Sequence, residues 1–238
     1  MDFYKILTNE TSTNREKLIN NYMIQNAVEG EISLEEYVCF LIQAYHHVKY
    51  TCPLLMAVGS KLSSEQEWLR VAVAEYIEEE IGHEEWILDD IQACNYNKEL
   101  VRFSKPNQST EMMLAYAWYV IHRVNPIGFF GMVLVLEGTS ITMATKAADA
   151  IQSGLNLPDN AFSYLRSHGE LDLEHMKFFE GLMNKITDKN DQEIIIHSAN
   201  NFYDLYGSIF TSIRDISTTI SELKNQLIWK EDIQFLHL

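Results

Sequence analysis

The sequence predicts an all-α protein built as a seven-helix bundle, and three observations support this prediction. The 238 residues include only 10 Gly and 4 Pro, so few positions interrupt a helix. Apolar residues recur with the helical period along most of the chain, and no sustained apolar–polar alternation indicates a strand. Capping side chains precede several of these stretches. Together these features favour helices packed on helices.

The seven helices follow one another with mostly short connections. Their predicted ranges are 13–29, 34–58, 64–93, 109–124, 127–153, 159–184 and 190–225. The first three begin at capping boxes, in which a hydroxyl and a Glu three residues later satisfy free amides: Thr13 with Glu16, Ser33 with Glu36, and Ser64 with Glu67. Pro53 predicts a kink in the second helix.

The later helices are separated by turn residues. Their boundaries fall at 95–108, at Asn125-Pro126, at 153–158 and at 187–190. No linker rich in Ser, Gly or Pro divides the chain, which predicts one domain over residues 1–238. Residues 226–238 have a mixed composition and are predicted to form a loose tail or a packed strap.

The charge of the chain narrows the classes of partner. There are 34 Asp and Glu against 18 Lys and Arg, a formal net charge of −16 at pH 7. Such a surface repels phosphate backbones and anionic lipids, so we expect neither nucleic-acid nor membrane binding. The longest apolar run, 127–136, is too short to cross a bilayer, and the N-terminus lacks the pattern of a signal peptide. The three cysteines form no CxxC or CxxH motif, which favours a cytoplasmic protein.

The strongest candidate metal-binding motif lies in the sixth predicted helix, which carries His168, Asp172 and His175. These residues stand at i, i+4 and i+7, within about 60° of the helix circumference at about 100° per residue. One face therefore presents two imidazoles and a carboxylate among apolar neighbours, which is half of a metal site. The alternative is a polar stripe at the surface.

A second candidate lies in the third predicted helix. Glu80 and His83 have the i, i+3 spacing by which ferritin-like bundles present two ligands to iron. Glu79 and His83, at i, i+4, would also face one way. The alternative for such an acidic run is a solvated helix face.

The third candidate is Glu137, on a helix that is apolar almost all round. Such a helix should be central, and a buried carboxylate there is costly unless it is paired or bound to a metal. The alternative is an ion pair with Arg123 or Lys146. Because the other two motifs need a bridging carboxylate, we favour the metal. Carboxylates and imidazoles without thiolate suit two irons, although they also accept manganese.

These residues resemble the haem-oxygenase-like diiron oxidases. The most specific signatures are the HxxxDxxH motif that ends at His175 and the segment 78–86, and the resemblance spans roughly residues 34–184. It implies a seven-helix bundle, often dimeric, that uses two Fe(II) ions and dioxygen. The ligands it implies by position are Glu80, His83, Glu137, His168, Asp172 and His175. Since the Glu-to-His separation varies in this family, Glu79 remains an alternative to Glu80.

The resemblance also implies a reaction class. Known members decarboxylate fatty acids to alkenes, N-oxygenate amines derived from amino acids, or fragment amino acids oxidatively. The size and motif pattern are similar to members that convert brominated tryptophan into a nitrile. We therefore expect a non-haem diiron oxidase acting on an aromatic amino acid of the tryptophan type, with an external electron donor. Haem is not expected, since no His precedes His46. The alternatives are an N-oxygenase, a fatty-acid decarboxylase or a non-catalytic iron-binding bundle.

A polar and aromatic segment of the second helix is the candidate substrate site. Lys49 would bind a substrate carboxylate, and His47 or Tyr50 would form hydrogen bonds. The alternative is an ordinary amphipathic helix with partly exposed histidines.

Overall fold

A computed structural model describes residues 2–227, without the side chains of Thr142, residues 168–174 and residues 218–227. This part of the chain contains twelve α-helices and no β-strand, which confirms the all-α prediction. The helices are α1 (Phe3–Glu10), α2 (Ser12–Ile19), α3 (Tyr22–Glu29), α4 (Leu34–Val48), α5 (Thr51–Lys61), α6 (Glu67–Glu80), α7 (His83–Ala93), α8 (Lys98–Arg102), α9 (Gln108–Tyr119), α10 (Phe130–Leu155), α11 (Ser163–Met183) and α12 (Lys189–Leu227). The predicted number of seven helices is therefore too low, because several predicted helices are interrupted and two short helices, α1 and α8, were not predicted.

The first interruptions follow from local capping. The predicted helix 13–29 ends at Ile19 and restarts after Asn21, whose side chain accepts a hydrogen bond of 3.0 Å from the amide of Met23. Thr13 consequently lies inside α2 and begins no helix. The Ser33–Glu36 capping box is present as predicted.

The next capping box and the predicted kink are both displaced. The residues of the box are Ser63 and Gln66, one position earlier than predicted. The helix 34–58 breaks at 49–50, before Pro53. Pro53 lies in the first turn of α5, where the missing N–H would have no intrahelical acceptor, so it causes no kink.

The third predicted helix breaks at a glycine. α6 ends at Glu80 and α7 begins at His83, with Gly82 between them at φ +94°. This left-handed conformation favours glycine because a side chain would be strained there. The bend changes how the predicted iron-binding pair is presented.

α10 is the central helix, and it packs against α3, α11 and α12. Its approach to α12 requires a glycine, since a Cβ on Gly131 would lie 2.5 Å from the amide nitrogen of Ala199. Phe130, Val135 and Ala148 are fully buried along this helix. Glu137 is thereby carried into the interior.

The structure describes only the first two residues of the segment predicted as a C-terminal tail. Gln226 and Leu227 end α12, and the remainder of the predicted tail 226–238 lies outside the described residues. Within residues 2–227, no single helix is both long and apolar enough to cross a membrane. The segments Pro126–Ile141 and Met143–Leu155 pass that test only as a pair bent by 46°.

Candidate metal centre

Glu80, Glu137 and His175 converge in the interior from the end of α6, the middle of α10 and α11. One ligand atom from each side chain lies within 4.8 Å of the others. The side chains are 11%, 12% and 9% exposed, respectively. Two ionised carboxylates so close together in a buried position repel each other, and a cation between them removes that repulsion. Two oxygen donors and one imidazole are a donor set that ferrous iron accepts, so these residues fit a metal of that kind.

His83 reaches this cluster from the next helix. The sequence-based reasoning placed Glu80 and His83 on one helical face, and this is wrong because the chain bends at Gly82. The bend nevertheless leaves Nδ1 of His83 3.3 Å from Oε2 of Glu80. The His83 ring stacks on Trp86, with centroids 4.0 Å apart and an interplanar angle of 25°. His83 is therefore held beside Glu80 by a tight bend and an aromatic contact.

Glu79 and Glu80 occupy different places around His175. Oε2 of Glu79 lies 2.9 Å from Nε2 of His175, and the Glu79 side chain is 53% exposed. Nδ1 of His175 lies 4.0 Å from Oε1 of Glu137 on the inner side. A carboxylate on the outer nitrogen of a metal-binding histidine fixes the orientation of its ring. This geometry favours Glu80 over Glu79 as a ligand.

His168 and Asp172 belong to the segment 168–174, whose side chains lie outside those described. The backbone of α11 is helical from Ser163 to Met183, so both residues share a helix with His175. Their positions as ligands stay a prediction from the sequence.

A cavity of about 140 Å³ adjoins the cluster, and both Glu80 and Glu137 line it. A cavity of about this size in an apolar protein interior accepts one benzene molecule. Aliphatic side chains make up much of the wall, and no Lys or Arg belongs to its described part. The aromatic lining residues are Tyr37, Phe40, Tyr76, Phe129, Tyr164, Tyr206 and Phe210.

Of the three predicted substrate-binding residues, only His47 lines the cavity. Its ring meets the ring of Tyr206 edge-on, with centroids 5.8 Å apart. Lys49 and Tyr50 lie outside the described lining. The Lys49 ammonium instead lies 4.9 Å from the centroid of the Tyr45 ring, and burial lowers its pKa.

Two lining residues were missed by the sequence reasoning. The Oγ atom of Ser140 is buried and has no hydrogen-bond partner among the described groups. Ser140 follows Glu137 by three residues, so helical spacing alone predicts that the two share a face. Tyr76 is 2% exposed and meets the ring of His175 edge-on at 6.2 Å. Its position one turn before Glu80 was the available signal.

Several solved structures are similar to this one over most of their length. A domain of unknown function with a heme oxygenase-like fold, from Shewanella denitrificans, matches with a TM-score of 0.80 and 20% identity over 99% of each chain. A TenA homologue from Pseudomonas syringae matches with a TM-score of 0.76 and 11% identity, over 90% of this chain and 93% of the homologue. Heme oxygenase-1 from the cyanobacterium Synechocystis, in complex with heme, matches with a TM-score of 0.72 and 12% identity, over 95% of this chain and 100% of the heme oxygenase. At such identities these likenesses show the fold.

Comparison of the sequence with curated proteins gives no match. The model of a protein family described as iron-containing redox enzymes matches residues 38–207, which is most of the chain and includes Glu80, Glu137 and His175. The matching family and the shared fold both agree with the resemblance drawn from the motifs. The chain belongs to the iron-containing redox enzymes and has the haem-oxygenase-like fold.

Proposed function

We propose that this redox enzyme is a non-haem oxidase that uses dioxygen, with Glu80, Glu137 and His175 as ligands of one Fe(II) ion. The observation that carries the proposal is the convergence of two buried carboxylates and an imidazole within 4.8 Å at the wall of an apolar cavity. Bound ferrous iron would supply the electrons and the open coordination positions for dioxygen chemistry. The protein supplies the ligands and a largely apolar space beside them.

A second Fe(II) ion is part of the proposal. His83 would bind beside the first site, and the distance of 3.3 Å between its Nδ1 and Oε2 of Glu80 supports this. His168 and Asp172, which share α11 with His175, would complete the second set. The support for these two residues is the motif resemblance.

The cavity supports an iron site without haem. Its volume of about 140 Å³ corresponds to one small ring, whereas a porphyrin contains four pyrrole rings in one plane. We therefore keep the prediction of two irons and no haem, although two similar structures hold heme.

The substrate we propose is an aromatic amino acid, with a tryptophan-type amino acid converted to a nitrile as the best single candidate. The aromatic residues of the wall support a planar side chain. The described wall offers no cationic side chain, so the substrate carboxylate would lie at the metal end. The buried hydroxyl of Ser140, one turn from Glu137, is available to a polar atom of the substrate. An external electron donor and a homodimer belong to the same proposal.

The geometry bears differently on each of the alternatives. The aromatic rings in the wall disfavour the long aliphatic tunnel that a fatty-acid decarboxylase would need, whereas N-oxygenation of a small amine stays an alternative. The TenA-like neighbours include a structure named as a thiaminase, and thiaminase-like members of this fold need a nucleophilic cysteine. Burial raises the pKa of Cys39 and Cys94 to about 12, so both thiols stay protonated near neutral pH. None of the three cysteines lines the cavity.

The test is anaerobic loading with Fe(II), followed by counting iron per chain and recording stopped-flow absorbance after oxygen is added. Tryptophan, halogenated tryptophans, phenylalanine and lauric acid form the substrate panel. We expect iron retention and a transient absorbance that one aromatic amino acid accelerates. Glu137→Ala and His175→Ala should lose iron and turnover, while Glu78→Gln, an exposed change on α6, should keep both. Full activity in either Ala variant, or no retained iron in the wild type, would refute the proposal.

A further inference from the structure

The helix that carries His175 does not cap its own N-terminus. The residue before α11 is Phe162, whose side chain accepts no hydrogen bond. The first amides of a helix lack partners within it and need acceptors from elsewhere. Here the carboxylate of Asp90, on α7, accepts hydrogen bonds from two of these amides. The amide of Ser163 donates to Oδ1 at 2.8 Å, and the amide of Tyr164 donates to Oδ2 at 2.9 Å. Asp90 is fully buried.

A second contact fixes the same turn from the other side. The hydroxyl of Tyr37 donates to the carbonyl oxygen of Ala161 at 2.7 Å. The Tyr37 ring also stacks on Phe162, with centroids 5.2 Å apart and an interplanar angle of 21°. Residues 161–164 are therefore held by two side chains that are distant in the sequence.

α7 links this cap to the candidate metal centre. It begins at His83, and Asp90 follows on the same helix seven residues later, while α7 and α11 pack together. One helix therefore presents an imidazole to the cluster and also holds the start of the helix that brings His175. The cap joins two proposed ligand-bearing helices directly.

We propose that Asp90 is a positioning residue: it replaces the missing cap of α11 and fixes the helix of His175 relative to the helix of His83. The proposal rests on the proposed function, since it takes both histidines as iron ligands. A carboxylate is suited to this role because one side chain accepts two amides and its charge favours the positive end of the helix dipole.

The first measurement is hydrogen–deuterium exchange of metal-free protein, followed at the amides of the first turns of α11. Asp90→Ala removes both acceptors, whereas Asp90→Asn keeps one oxygen and should restore part of the protection. We expect exchange about tenfold faster in Asp90→Ala and an intermediate value in Asp90→Asn. Asp89→Asn alters the neighbouring exposed carboxylate, which pairs with Lys98, and should match the wild type.

The second measurement is Fe(II) affinity by competition with a chelator. We expect Asp90→Ala to lower the affinity about tenfold, the low end of the range for outer partners of metal ligands, with Asp90→Asn in between. The matched control is Asn107→Ala, which removes the cap of α9, where the Asn107 side chain accepts from the amide of Thr110 at 2.9 Å. α9 carries none of the proposed ligands, so that variant should lose stability while its iron affinity stays unchanged.

The outcomes separate the two proposals. Unchanged exchange in both Asp90 variants overturns the cap, and equal losses of iron affinity in Asp90→Ala and Asn107→Ala overturn the positioning role, because global stability then explains both. If Asp90→Ala does not fold, Asp90→Asn carries the same comparison. A wild-type protein that retains no iron refutes the proposed function instead, and the exchange experiment still decides whether Asp90 caps α11.

Discussion

Neutralising one of the two buried carboxylates should stabilise the metal-free protein, and this prediction distinguishes a metal site from a structural ion pair. Glu80 and Glu137 bring ligand oxygens within 4.8 Å of each other, which for two ionised carboxylates at an effective dielectric constant of about 20 corresponds to about 3.5 kcal/mol of repulsion. The neighbouring imidazole of His175 reduces this figure. We therefore expect Glu137→Gln to raise the free energy of unfolding by about 2 kcal/mol without metal, or Tm by about 4–8 °C.

The assay is thermal and urea unfolding in a chelating buffer and again with excess Fe(II) under anaerobic conditions. With iron, the order should reverse, because an ion present at 100 times its Kd stabilises the wild type by about 2.7 kcal/mol. Glu137→Gln lacks one charged ligand and gains little. Glu78→Gln, on the exposed face of α6, should shift neither measurement by more than about 0.5 kcal/mol.

A Glu137→Gln variant that is clearly less stable than the wild type in the chelating buffer contradicts this reasoning. That result means that the carboxylate is held by a stabilising partner in the native protein, which is the ion-pair alternative. A variant that is more stable without iron but still gains the full stabilisation with iron contradicts only the role of Glu137 as a ligand.

Three other changes test separate parts of the site. Ser140→Ala should weaken binding of the accepted substrate about tenfold in KM with little change in kcat, whereas Ser208→Ala, which removes an exposed hydroxyl bonded to the carbonyl of Asp204, should leave KM unchanged. Gly82→Ala should lower the free energy of unfolding in urea by about 1–2 kcal/mol, because the alanine must keep φ +94°, although its Cβ meets no atom within 4 Å. A neutral result would mean that the bend relaxes, and iron counting would then show whether His83 still contributes to iron binding. Burial raises the pKa of Asp90 to about 6 in the folded protein, above about 3.9 in the unfolded protein. The contribution of this carboxyl group to the free energy of unfolding is therefore fully present below pH 4, and it is lost, by about 3 kcal/mol, as the pH rises to about 6. Asp90→Asn should lack this decrease in unfolding experiments from pH 4 to pH 7, and an equal decrease in both proteins would assign it to other groups.

The helices were predictable because their signals are local. The cap formed by Ser33 and Glu36 needs only two residues three apart, and the structure contains it. The break at Gly82 was missed because a single glycine inside a helical pattern costs only about 1 kcal/mol and is often tolerated. Whether the chain bends there depends on how α6 and α7 pack, which no short window of sequence contains.

The candidate site was predictable in composition and less so in geometry. The apolar context singled out Glu137, since a buried carboxylate needs a reason to be buried, and the helical spacing with His168 and Asp172 singled out His175. The side to which Lys49 points depends on the break between α4 and α5, whereas the sequence predicted one helix there with a kink at Pro53. The contact from Asp90 to the amide of Ser163 joins residues 73 positions apart, so periodicity could not reveal it.

The bend at Gly82 also bears on how the chain assembles. Glu80 and His83 are near neighbours in the sequence, so bringing them together closes a very short loop and costs little chain entropy. Glu137 and His175 are far along the chain, and joining them to that pair closes long loops in the unfolded protein. In the two-iron site proposed above, the ions would therefore act as reversible crosslinks. Binding would begin at the local pair of Glu80 and His83 and would join three distant stretches of polypeptide, as a set of disulfides would do in a secreted protein.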